Sequence, residues 1–195
     1  MVSKPKKSKK SKKSQKADEA EGRRFLEAIG WFVVMFSIIE QRVQETLRHF
    51  TKLDPIIANC ILSNTRIDEA LRQLKRIAEA TNWRADRKYL LNGLAQDLGR
   101  ITRFRNDLLH YGITGASSDT AVVTNEKYAI IKDHIRTTKV SVSILDKMNT
   151  ELIVMMVRIA FIKGDISLDD FVRRVKGEIS HDEYLRRVQS KPNPS

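Results

Sequence analysis

Apolar residues recur at three- and four-residue steps through most of the chain, which is the spacing of amphipathic helices. The clearest such stretch begins near Asp86 and ends at His110 or Tyr111, and Gly112 then provides a helix stop. Its apolar face consists of Leu91, Leu94, Leu98, Ile101 and Leu108. A second long helix is predicted from about Glu19, with an apolar face of Phe25, Ile29, Phe32, Phe36, Val43, Leu47 and Phe50.

Shorter helices are predicted where a capping residue precedes an apolar, periodic stretch. The strongest of these signals is Asp54 followed by Pro55, because proline is favoured at the first position of a helix. The predicted caps and helices are Asp54 before 55–62, Thr65 before 66–80, and Ser143 before a helix that stops at Gly164.

The pattern changes between Ile113 and Val140, where small and polar residues interrupt the apolar periodicity. The segments 121–124 and 128–131 flank Asn125-Glu126-Lys127 and predict a small β-hairpin. Gly112–Gly115 is predicted to be a helix stop followed by a turn. The sequence as a whole therefore predicts an all-α fold, an up-and-down helical bundle with a small β-hairpin insertion and short C-terminal helices.

Two similar segments, 167–175 and 180–188, follow the predicted helical domain. Each begins with serine and acidic residues and ends with paired arginines, which suits the two ends of a short helix. We favour two self-capped helices that pack on the domain. The alternative is a phosphate-binding surface formed by Arg173, Arg174, Arg186 and Arg187.

The net charge of +12 is concentrated at the N-terminus. Residues 1–16 contain eight lysines and no acidic residue, so that +4 remains for the rest of the chain. Such a tract is predicted to be disordered and to act as an electrostatic arm for phosphate backbones, or as a solubilising or localisation segment. The lysines are Lys4, Lys6, Lys7, Lys9, Lys10, Lys12, Lys13 and Lys16. The predicted organisation is a basic tail over 1–18, a helical domain over 19–164 and short helices over 165–190.

Several classes of protein are disfavoured by the composition. A single cysteine, Cys60, leaves no internal disulfide and favours a buried thiol in a reducing, cytoplasmic compartment. The longest apolar run, 29–39, is too short for a membrane span, so we interpret it as core or subunit interface. The four histidines are far apart in sequence, and we expect neither a metal site nor a cofactor.

The end of the long helix that begins near Asp86 combines several chemically active side chains. Continuing its apolar steps places Arg105 on the buried face, where a guanidinium needs a partner. Arg103, Asn106 and His110 form a neighbouring polar stripe. Glu40 lies on the apolar face of the first long helix, and we predict that it pairs with Arg105.

The string Arg105-Asn106-Asp107-Leu108-Leu109-His110 resembles the motif of the HEPN family, whose ribonuclease members carry Arg, a polar residue, three variable positions and His. The resemblance covers about residues 20–163. It implies a helical HEPN-like domain and a metal-independent endoribonuclease that acts as a homodimer and leaves a 2′,3′-cyclic phosphate. The resemblance further implies that Arg105 stabilises the transition state, that His110 is the general acid and base, and that Asn106 orients His110 or the phosphate.

The same resemblance implies RNA as the partner and Arg103 and Tyr111 as substrate contacts. Family analogy adds a toxin or phage-defence role, with a protein antitoxin as a further partner. The alternative is a non-catalytic HEPN module that dimerises or binds RNA.

Two observations bear on partners. The stretch from Trp31 to Ile39 is nearly apolar all round, which predicts that a second subunit covers it. The segments 55–62 and 66–80 are joined by a short turn, which also admits a helix-turn-helix DNA-binding protein. Acidic residues on the second helix make that reading less favoured.

Overall fold

A computed structural model of the chain describes residues 12–114, 120–126 and 135–176, with the backbone alone for residues 12–19, 21 and 112–114. This part of the chain contains six helices and three short strands, and it confirms the predicted all-α class with a small sheet. In chain order the elements are α1 (Lys12–Thr51), α2 (Pro55–Leu62), α3 (Ile67–Ala80), α4 (Ala85–His110), β1 (Gly112–Thr114), β2 (Thr120–Thr124), β3 (Thr137–Ser141), α5 (Val142–Lys163) and α6 (Leu168–Val175).

The helices follow the apolar spacing closely. All five predicted apolar residues of α4 are buried, and on α1 Phe32, Phe36, Val43 and Leu47 are almost completely inaccessible. Helix α1 begins at Lys12, seven residues before the predicted start at Glu19. Lysine, glutamine, alanine and glutamate are good helix formers, so the segment 12–19 can extend the helix without packing.

Two of the four tested helix caps differ from the prediction. Asp54 caps α2 as expected, since its carboxylate accepts hydrogen bonds from the backbone N–H groups of Ile56 and Ile57. Ser167 caps α6 in the same way. The prediction that Thr65 caps α3 is wrong, because Arg66 is the N-cap residue and makes no side-chain cap bond.

The cap of α5 is also displaced along the sequence. Ser141, and not Ser143, caps this helix, because its hydroxyl accepts from the Ile144 N–H at 3.2 Å. The end of α5 is as predicted. Gly164 has φ of 93°, a left-handed conformation, and its N–H donates to the Ala160 carbonyl.

The sheet has β2 in the centre, antiparallel to β1 on one side and to β3 on the other. Ala121 and Val123 of β2 and Val140 of β3 are buried, so the sheet has one apolar, covered face. The prediction of a turn directly after Gly112 is wrong, because Gly112–Thr114 pairs with Val122–Thr124 as strand β1. The first arm of the predicted hairpin, 121–124, is confirmed as β2, whereas the second arm, 128–131, lies outside the described residues.

The chain divides into two compact units. The first lies within Met1–Val34 and Thr102–Asn149 and contains the sheet and the end of α4. The second lies within Met35–Ile101 and Thr150–Ser195 and contains α2, α3 and α6. The first C-terminal repeat segment forms α6, and the second, 180–188, lies outside the described residues.

Candidate functional site

The HEPN-like motif occupies the last two turns of α4, in the first unit. Phe104 and Leu108 are buried there, and the Phe104 ring meets Phe32 of α1 edge to face, with 5.6 Å between centroids. Aromatic pairs favour this geometry, and it fixes the rotation of the helix about its own axis. The contact holds this end of α4 against α1, so the motif residues project in defined directions.

Arg105 and Asn106 form a hydrogen-bonded pair within the motif. The Arg105 guanidinium donates from Nη1 to the Asn106 side-chain oxygen Oδ1 at 3.1 Å, and both side chains are half-buried. Consecutive helical residues point about 100° apart, so this bond draws the guanidinium round the helix toward the direction of Asn106. Asn106 thus lies where it can orient the cation.

His110 is exposed at the very end of α4. It follows Asn106 by one helical turn, so the two side chains project from the same face. Arg105 and His110, by contrast, project about 140° apart around the helix axis. The bond to Asn106 therefore turns the guanidinium toward the helix face from which His110 projects.

Asp107 is a further motif residue, and the sequence alone indicates no role for it. Its carboxylate accepts a hydrogen bond from the hydroxyl of Thr138 in β3, at 3.4 Å, and its backbone carbonyl accepts from the Tyr111 N–H at 3.1 Å. The end of the motif helix is thereby joined to the sheet. No local pattern could have shown this contact, because Thr138 is 31 residues away in sequence.

The remaining predicted site residues have varied surroundings. Arg103 is exposed and Tyr111 half-buried, both of which are compatible with a contact to substrate. Glu40 is half-buried on α1 and belongs to the second unit, and its pairing with Arg105 stays a prediction. Of the lysine tract, residues 4–10 lie outside the described part of the chain, and Lys12, Lys13 and Lys16 lie on the first turns of α1.

A polar cleft between α4 and α5 was not anticipated from the sequence. It lies in the second unit, has a volume of about 310 Å³, and is crossed by two ion pairs. Arg158 pairs with Asp97 at 2.7 Å, and Arg100 pairs with Glu151. Because each cation meets a carboxylate, the cleft carries no excess charge, and we interpret the pairs as contacts that join the two helices.

The helix-turn-helix interpretation loses support from the surface of α3. Arg72 pairs with Glu69 at 2.6 Å and with Asp68 at 3.5 Å, and Arg66 pairs with Asp68 at 3.6 Å. A DNA-reading helix needs such cations for phosphates and base edges. Here the carboxylates of Asp68 and Glu69 already bind Arg66 and Arg72.

Two other classes of site are missing from the described residues. In that part of the chain, histidine, cysteine, aspartate and glutamate side chains form no group that could hold a metal ion. None of the helices described has both the length and the apolar character that crossing a membrane requires. Cys60 is exposed on α2, so the prediction of a buried thiol is wrong.

Comparison of the chain with protein-family models, with curated proteins and with solved structures finds no match. The resemblance to the HEPN family therefore depends on the six motif residues from Arg105 to His110 and on their position at the end of a long helix.

Proposed function

We propose that the chain is a metal-independent endoribonuclease of HEPN type. The observation that carries the proposal is the arrangement at the end of α4, where the Arg105 guanidinium is bound by Asn106 one turn before the solvent-exposed His110. A cation for phosphate, an amide that orients it and an imidazole open to solvent are the groups that cofactor-free RNA cleavage requires.

The chemistry would begin at a ribose 2′-hydroxyl. A histidine takes the 2′-proton as the oxygen attacks the adjacent phosphorus, and the 5′-oxygen of the next nucleotide leaves with a proton from a second acid. The products are a 2′,3′-cyclic phosphate and a free 5′-hydroxyl. The Arg105 guanidinium neutralises the charge that accumulates on the phosphorane oxygens.

A second copy of the chain would complete this site, because one His110 cannot be base and acid in the same step. The first unit leaves an apolar surface on α1 that suits such a copy. Leu26, Trp31 and Val34 are 67%, 55% and 50% exposed, whereas Phe32 between them is fully buried. Exposed apolar side chains on one helix face are typical of subunit interfaces.

The same apolar surface favours the second candidate, a non-catalytic dimerising HEPN module that binds RNA. The two candidates share the dimer and the RNA contact, and they differ in whether Arg105 and His110 catalyse cleavage. The lysine tract, Arg103 and Tyr111 would contribute RNA contacts in either case, and the cytoplasm is the compartment in which both would act.

The decisive experiment is incubation of the purified full-length protein with total RNA in EDTA, followed by analysis of the fragment ends. We expect fragments with 2′,3′-cyclic phosphate ends, and a rate of cleavage at least about 100-fold lower in the His110→Ala or Arg105→Ala variant. Arg136, an exposed arginine directly before β3, provides the matched control, and the Arg136→Ala variant should cleave like the parent. Cleavage that persists in His110→Ala, or that needs magnesium, would reject the nuclease.

A further inference from the structure

A row of three aromatic rings lies in the second unit, where α1 ends and α4 is about to begin. The His49 ring meets Phe50 edge to face with 4.9 Å between centroids, and Phe50 meets Trp83 with 4.2 Å between centroids. His49 is exposed, and the other two rings are half-buried. The outermost ring of the row is therefore open to a planar ligand.

Two lysines lie near the His49 end of this row. Burial lowers the pKa of His49, and the nearby ammonium groups of Lys52 and Lys163 lower it further, against a smaller opposite effect of Asp165. Lys163 also pairs with Asp165 at 3.4 Å. The Arg87 guanidinium lies beside Gly164, with Nη2 3.7 Å from where a Cβ would be.

The charges that act on His49 are those of two lysines and one carboxylate, so they leave one positive charge in excess. Lys52 and Lys163 come from different parts of the chain, and Asp165 is the acid whose charge acts on His49. Like charges placed together repel one another, and an anion between them removes that cost. In the polar cleft between α4 and α5, by contrast, two cations meet two carboxylates and no charge is left in excess.

The backbone at Lys52 adds a second, independent observation. Lys52 has φ of 55°, the left-handed conformation that follows a helix and that glycine and asparagine adopt most easily. Asn82, directly before Trp83, has φ of 49° and is such a favoured residue. Lysine gains nothing from this backbone conformation, whereas its exposed side chain carries a positive charge that acts on His49.

We propose that His49, Phe50 and Trp83, together with Lys52 and Lys163, form a binding site for single-stranded nucleic acid. A base stacks on the exposed ring of the row, and the two ammonium groups hold the flanking phosphodiesters. Aromatic rings beside lysines are the means by which proteins hold unpaired strands without reading their sequence. The site goes beyond the proposed nuclease and does not require it, because a chain without catalytic activity would bind in the same way.

The test measures fluorescence anisotropy of a labelled 12-nucleotide oligo-uridine RNA and of the matching oligo-thymidine DNA. The protein is the full-length chain with His110→Ala, in EDTA, so that no cleavage interferes. We expect His49→Ala to weaken binding by about 5-fold or more, the lower end of the range for loss of one stacked base. Arg76→Gln removes an exposed positive charge from α3 and should leave the affinity within about 2-fold, as a contact outside the site should.

Lys52→Gly separates a binding role from a structural one. Glycine is better suited to the left-handed backbone, so the variant should be at least as resistant to urea as the parent. Its oligonucleotide affinity should nevertheless fall, and the slope of log affinity against log salt should decrease by about one.

Three results would overturn the proposed site. They are an affinity that is unchanged in both His49→Ala and Lys52→Gly, a loss of affinity in Arg76→Gln as large as in those variants, and an affinity for duplex RNA equal to that for the single strand. Binding of the RNA alone or of both oligonucleotides supports it and tells whether the 2′-hydroxyl is contacted. The nuclease is judged separately, by cleavage with His110 intact. If the protein does not cleave RNA but binds the oligonucleotides with normal affinity, the proposed binding site stands and the nuclease fails. If it cleaves RNA but the variants of the binding site keep the parent affinity, the nuclease stands and the binding site fails.

Discussion

The Arg105 guanidinium donates a hydrogen bond to the side-chain oxygen of Asn106 at 3.1 Å, although the two residues are neighbours in one helix and begin in different directions. The bond holds the guanidinium near the helix face from which His110 also projects. In the proposed nuclease, Asn106 would therefore be a positioning residue that acts through Arg105.

This relationship predicts how substitutions combine. Arg105→Ala should lower kcat for RNA cleavage by about 100- to 1,000-fold, as loss of a transition-state donor does. Asn106→Ala should lower kcat by roughly 10-fold, because the guanidinium remains but is less well oriented. The double variant should be no slower than Arg105→Ala alone by more than about 2-fold, since residues that act as a unit are not additive. Single-turnover kinetics measure all three, and fully additive losses would contradict the positioning role.

The exposed side chains of α1 predict a homodimer. Val34→Arg puts a charge on a position that is half exposed in one chain, so the single chain should still fold. The expected result is a monomer by light scattering at micromolar concentration, with RNA cleavage lost together with the dimer. Glu27→Gln, an exposed polar position on the same helix, is the control and should remain dimeric. A monomeric parent protein would remove the composite site.

Two glycines predict stability changes of opposite sign. A Cβ at Gly99, inside α4, would have no neighbour within 4 Å, so Gly99→Ala should raise the free energy of unfolding by about 1 kcal/mol. Gly164 has a positive φ, so Gly164→Ala should lower that free energy by about 1 kcal/mol. Urea denaturation measures both. A destabilised Gly99→Ala protein would show that another surface approaches that helix in solution.

The lowered pKa of His49 predicts a pH dependence of stability. In the unfolded chain a histidine binds its proton near pH 6.5, whereas the folded protein, through burial first and the lysines second, binds it only at lower pH. The unfolded state therefore holds more protons just below pH 6.5, and the free energy of unfolding should fall as the pH is lowered through that range. His49→Gln should reduce this loss relative to the parent, and an identical pH profile in the two proteins would show that His49 contributes nothing to it.

Local sequence accounted for most of the helices. Asp54 followed by Pro55 starts α2 where expected, and Leu94, Leu98 and Ile101 are buried as their spacing predicts. These features depend on hydrogen bonds and contacts within about one helical turn. They can therefore be predicted from residues that are close in sequence. The caps were less certain. Ser141 and Ser143 are equally suited to capping α5 and only Ser141 does so, whereas α3 begins at Arg66 without a side-chain cap although Thr65 precedes it.

The sequence by itself determined the helical class, the exposed end of α4 that bears His110, and the stripe on which Arg103, Asn106 and His110 lie. Only the tertiary structure decided the partners of β2, the bond from Thr138 to Asp107 and the meeting of His49, Phe50 and Trp83. The physical reason is the range of the interactions. A helix closes its hydrogen bonds over four residues, whereas strand pairing and ring contacts join residues tens of positions apart and leave no period in the sequence.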